Sequence, residues 1–176
     1  MNQEKTAQSI AYELANVYAP FFNVERCGRI GQTDLAFSAC YHRKDERYVF
    51  TKKVKVWEVE NQQKLFAAAP VQQVTAEFIE RLKEDMLAEA DKWEPEQSHM
   101  STVCMGIILT DQPVGKEVIR SASKFRKLTF LKWGARGWME MYVAVLDLHK
   151  HEIYVHRKGR PFIKPFITYI EEGRKQ

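Results

Sequence analysis

The sequence predicts an α+β fold: a largely antiparallel sheet or sheets from two β-meanders, with an N-terminal helix, a central amphipathic helix and a short third helix. Three observations lead there. Apolar residues recur at helical spacing over 3–18 and again over 75–93. Runs rich in Val, Tyr, Phe, Thr and Trp, broken by short polar turns, fill much of the remainder. Residues 101–110 form a near-continuous apolar run, the pattern of a strand buried on both faces.

In chain order, Ala7, Ile10, Ala11, Leu14, Val17 and Tyr18 make one face of the first helix, which Pro20 stops. Gly28 and Gly31 then punctuate a turn before a strand at 33–43. His42 to Arg47 reads as a polar hairpin tip, followed by a strand from Tyr48 to Val59, a turn at Asn61-Gln62-Gln63 and a short strand from Lys64 to Ala69. After Pro70, Thr75 caps a helix running to Trp93, with the stripe Ile79, Leu82, Met86, Ala90 and Trp93. Asp111 and Pro113 are placed to start the short third helix, with Val114, Val118, Ile119 and Ala122 inward. A second meander follows, with strands at 127–133, 138–148 and 152–157. Residues 160–172 read as an edge strand or a short helix, because Pro161 and Pro165 suit either. No linker breaks the pattern, so residues 1–176 read as a single domain. At that length roughly 70% of the extended chain's surface is buried on folding, enough for a full core.

Three cysteines cannot all pair, and their sparse spacing suits reduced thiols. With no signal peptide at the N-terminus and no run of membrane-spanning length, the expectation is a cytoplasmic protein that does not engage a membrane. The overall make-up is similar to that of small bacterial cytoplasmic proteins. Charge is uneven: residues 1–100 carry 13 Lys+Arg against 16 Asp+Glu, whereas residues 101–176 carry 14 against 7. The segment 77–96 is the most acidic, with 8 acids against 3 bases.

That asymmetry directs attention to the C-terminal third. Lys124, Arg126, Lys127, Lys132, Arg136, Arg157, Lys158 and Arg160, with Trp133 and Trp138 around a Gly-Ala-Arg-Gly turn, are the candidate polyanion-binding set. Cations bind phosphates and exposed indoles stack on bases, so this composition suits nucleic acid. The plainer alternative is a solvated face with two tryptophans packed over a turn.

Other chemistry has less behind it. His149, His151 and His156 could serve zinc, but Lys150, Arg157 and Lys158 are interleaved and oppose a divalent ion. Cys27, Cys40 and His42 lack paired-cysteine spacing. Cys104 lies in the apolar run, where a thiol keeps its proton. Neither a Gly-x-Ser-x-Gly elbow nor a P-loop occurs, and Gly28-Arg29-Ile30-Gly31 lacks the spacing of a dinucleotide turn.

The opening element order, α-β-β-β-α-β over residues 3–110, resembles the core of restriction-endonuclease-like nucleases. The resemblance implies metal-holding carboxylates on adjacent strands, and Asp34, Glu58 and Glu60 are the candidates. The family's acid-x-Lys step is missing: Glu60 and Gln62 stand two residues beyond Glu58 and Glu60, and Lys64 comes four beyond Glu60.

No catalytic residue and no cofactor follow from these patterns. The favoured reading is a non-catalytic binding or regulatory protein whose basic, aromatic face takes nucleic acid or an acidic protein. The alternatives are a metal-dependent nuclease-like phosphodiesterase, and a small-molecule-binding or assembly subunit, the latter a homodimer through residues 161–170.

Overall fold

The structure is a computed structural model that describes residues 5–48, 55–95 and 97–175, with the backbone alone given for 43–48 and 55–60. Four α-helices and seven strands are found among the described residues. The helices are α1 (Ala7–Tyr18), α2 (Ala76–Asp91), α3 (Lys116–Lys124) and α4 (Lys164–Gly173). The strands are β1 (Asn23–Ile30), β2 (Thr33–Tyr48), β3 (Lys55–Ala68), β4 (His99–Thr110), β5 (Arg126–Phe130), β6 (Trp138–Asp147) and β7 (Glu152–Val155).

All seven strands join one sheet in the order β1-β2-β3-β4-β6-β5, with β7 also paired to β6. The fold class is α+β, and its sheet is mixed: β3–β4 and β4–β6 run parallel, while the other pairs are antiparallel. Parallel neighbours require crossovers, and α2 and α3 supply them. β5 and β7 share the outer side of β6, β5 along its first half and β7 along its second.

Each helix forms for a local reason. Thr6 and Thr75 cap α1 and α2, their hydroxyls accepting from the Ser9 and Phe78 amides, each at 3.2 Å. The expected α2 stripe is buried at Ile79, Leu82 and Met86. With α3 it covers one face of the sheet over Cys104, Ile108, Met141, Val143 and Val145. The other face is covered by α1 and α4. Ile10, Leu14 and Tyr18 of α1 and Phe166 and Ile170 of α4 pack on Phe37, Leu65, Met105, Ile107 and Tyr142.

Several expectations are corrected. β1 occupies residues where only a turn around Gly28 and Gly31 is expected; its exposed edge position leaves little apolar alternation to see. Asn61-Gln62-Gln63 lies within β3 and makes no turn. Asn61 accepts from the Ser101 hydroxyl of β4 (2.7 Å), and the Gln63 amide donates to the Phe162 carbonyl, outside the sheet (2.7 Å), so both side chains find partners from within a strand. The third helix begins after Gly115 rather than at Asp111. The strand expected at 127–133 ends at Phe130 and gives way to a tight 3-10 turn, Leu131–Gly134.

Residues 160–172 are helical: a 3-10 turn at Arg160–Ile163 leads into α4, with a proline in the first turn of each. The apolar side chains of that segment cover the chain's own core, Ile163, Phe166 and Ile170 being at most 1% exposed. No described helix is long and apolar enough to cross a membrane.

Candidate functional site

The candidate polyanion residues gather along the outer edge of the sheet, beyond β6. β5 contributes Arg126 and Lys127, the end of α3 contributes Lys124, and the 131–137 connection contributes Lys132, Trp133 and Arg136. Trp138 opens β6, half-buried. Arg157, Lys158 and Arg160 follow β7 on the same side, since Gly159 lies against the Tyr142 ring. One edge is formed, but its two faces differ. Alternation along β5 sends Arg126, Leu128 and Phe130 to one face and Lys127 to the other.

Arg126 is engaged. Its Nε donates to Glu140 Oε2 (3.2 Å) and to the Tyr142 hydroxyl (3.3 Å), while that hydroxyl donates to Glu140. Burial pushes the Glu140 carboxyl up, but the Tyr142 hydroxyl, the Arg126 guanidinium and the nearby charge of Lys158 together hold it below the usual carboxylate range. Lys124, Lys127, Lys132, Arg136, Arg157, Lys158 and Arg160 form no salt bridge among the described residues. The acidic helix α2 packs on the α3 side of the sheet, so it does not lie over the Arg126–Lys158 face.

The 131–137 connection is a closed loop. Leu131 and Gly137 bond at 2.9 Å, Arg136 donates to Leu131 O at 3.1 Å, and Gly137 to Gly134 O at 3.2 Å. Lys132 and Trp133 hold left-handed backbone at φ 48° and 59°, a costly state for residues with a Cβ. Trp133 is fully solvent-exposed, beside Phe130 at 64%. The loop is gripped from behind. Buried His99 donates through Nδ1 to the Arg136 carbonyl and shares a 2.9 Å bond between Nε2 and the Thr102 hydroxyl. The Trp93 ring meets His99 edge-on, 4.7 Å between centroids. The exposed indole thus stands on a fixed base, which sequence spacing alone does not disclose.

The other sequence candidates are not brought together. By register, Phe37 pairs with Ala67 and Lys44 with Glu60. Asp34 therefore lies ten residues along the sheet from the level of Glu60, roughly 33 Å. It pairs instead with Arg29 on β1 at 2.7 Å, and that bond holds its carboxyl below the ordinary range. The side chains of Glu58 and Glu60 lie outside the described residues. Among the described residues no group of three or more His, Cys, Asp or Glu side chains is arranged to hold a metal ion. His156 stacks towards Tyr142 (5.8 Å), separated from His149 and His151 by the length of β7.

All three cysteines are free thiols. Cys27 is exposed, 3.0 Å from the Tyr12 hydroxyl; burial raises the Cys40 thiol, and burial pushes Cys104 up to about 12. A chromogenic disulfide reagent at pH 8 should therefore modify Cys27 first and Cys104 only after denaturant is added. Immediate reaction of every thiol in the native protein would contradict the burial described. The stability linked to Cys104 is full below its ordinary value and falls as pH rises toward about 12, because the unfolded thiol ionises first.

In class, the molecule is a mixed-sheet α+β protein with helices on both faces of seven strands. Residues 6–168 match the profile of DUF8052, described as a domain of unknown function, and the chain belongs to that family. No curated protein and no solved structure matches it.

Proposed function

We propose that this protein is a non-catalytic binding module whose partner is a single-stranded nucleic acid laid along the edge beyond β6. The observation that carries the reading is the pairing of cations free of salt bridges with a fully exposed indole on a pinned loop. Lysine and arginine along one edge attract a phosphate backbone without reading sequence. Trp133 and Phe130 offer faces on which bases stack. Left-handed backbone at Lys132 and Trp133 is the kind of local cost that persists where a side chain must be held in one place.

Fluorescence anisotropy with a labelled mixed-sequence oligonucleotide, repeated over a salt series, tests this. Each phosphate contact contributes about 0.7 to the slope of log affinity against log salt. A Lys127→Glu/Lys132→Glu/Arg136→Glu variant should then flatten that slope by roughly 2. Trp133→Ala should weaken binding by about 1–3 kcal/mol. Binding that survives the triple variant, or none in the wild type at low salt, refutes the proposal. Capture of polyglutamate but not the oligonucleotide would assign the edge to an acidic protein instead.

A further inference from the structure

At the opposite end of β6 lies a second place built for a ligand. The parallel strands β4 and β6 both end there, at Thr110 and Asp147, and the Leu148 amide donates to the Thr110 carbonyl at 2.9 Å. That bond ties the two following turns into one floor. Ligands in sheets with parallel strands collect outside the carboxyl ends, where the turns diverge and leave room. Here a cleft of about 580 Å³ opens between those turns, the start of α1 and the middle of α4. The volume falls in the range that encloses small metabolites.

Its lining is polar and rich in donors. Lys5 enters from before α1, Asp111 and Gln112 from after β4, His149 and His151 from after β6, and Tyr169 from α4. Only one of the six is a carboxylate. Lys5 pairs with Glu13 at 2.8 Å, and the Gln112 amide donates to Asp111 at 3.1 Å.

His151 is where the fold departs from its own comfort. Its backbone is left-handed at φ 52°, and the Arg174 guanidinium fixes that turn by donating to the His151 carbonyl at 2.7 Å. Its Nδ1 is buried without a hydrogen-bond partner. A Cβ on Gly173 would come within 2.5 Å of that nitrogen, so α4 is closed tightly against this side of the ring. A buried N–H with no acceptor is costly, so the neutral ring carries its proton on Nε2. Nε2–H is thus the donor the ring has left, and His151 lines the cleft. Strained backbone and a polar cleft coincide at this residue.

We infer that this cleft binds a small anion-bearing metabolite, its carboxylate or phosphate received by His151, His149 and Lys5 and its own donors by Asp111 and Gln112. The site is about 30 Å, the length of β6, from the Trp133 loop, and it stands or falls independently of the edge.

Proton NMR of the intact chain resolves the two sites. Inorganic phosphate and acetate are titrated separately while the histidine C2–H and tryptophan indole signals are followed. The expected result is saturable movement of the His149 and His151 signals at millimolar concentration with one of the two anions, which names its chemistry. His151→Gln should weaken that response at least tenfold, read on His149, and Tyr169→Phe should leave the protein folded with a smaller loss. Movement confined to His156 and Trp133, or a His149 response unchanged in His151→Gln, would overturn the inference. Equal, non-saturating drift with both anions would overturn it as well.

Discussion

Phe166→Ala should cost about 3–5 kcal/mol of folding stability, the range for emptying a fully enclosed aromatic site. Phe166 has no solvent exposure. Its ring lies within 1° of parallel to Phe37 at 6.4 Å and also touches Tyr18 at 5.7 Å. Those three rings join α4, β2 and α1 at the centre of one face. Backbone pairing on β2 and helix capping on α1 prevent the walls from collapsing into the void, so the cavity should persist. For a chain of this size the loss corresponds to roughly 6–20 °C in melting temperature. Urea denaturation of the variant gives the value directly. A change below about 1 kcal/mol would mean that α4 is not docked as described.

Gly137→Ala should cost on the order of 3 kcal/mol and release the Trp133 loop. Two effects add. Gly137 sits at φ 79°, where a Cβ is unfavourable, and that Cβ would lie 1.9 Å from the Met100 carbonyl oxygen. The carbonyl belongs to β4, next to His99, whose ring holds the Arg136 carbonyl, so it cannot retreat without breaking the grip on the loop. Gly134→Ala is the matched control: φ is 87° there, yet nothing lies within 4 Å of the added carbon. It should show the conformational cost alone, about 1–2 kcal/mol. Melting temperatures and amide exchange at Arg136 compare the two. Equal losses would show that the Met100 contact is relieved without disturbing the loop.

How much of this was readable beforehand follows from where each residue's constraint lies. α2 was legible because Thr75 and the Ile79, Leu82, Met86 stripe are set by neighbours within the same helix. β4 was legible because both its faces are covered, which leaves an unbroken apolar run. β1 was not, since an edge strand with mostly exposed side chains carries little periodicity, and Cys27 at φ 58° interrupts what there is. Asn61 and Gln63 look like a turn until the partners at Ser101 and Phe162, 40 and 99 residues away, are known.

The site divides in the same way. The cations and tryptophans of the C-terminal third were visible as composition. That they share an edge depends on β5 and β7 both choosing the outer side of β6, a decision of topology. His99 was missed altogether, because its hold on Arg136 spans 37 residues. The separation of Asp34 from Glu60 was equally hidden: neighbouring strands suggest proximity, but only register fixes the level at which two residues meet.

The helices that close one face lie on either side of all the strands in chain order. α1 precedes every strand in chain order and α4 follows them all, and the two touch each other over the same apolar floor. During synthesis, Phe37, Leu65 and Met105 must wait for residues 164–173 before their cover is complete. Completion of this face is therefore a late event, governed by contacts of very long sequence separation. Until then the nascent chain carries an open greasy surface, while the opposite face, roofed by the two crossovers, is already shut.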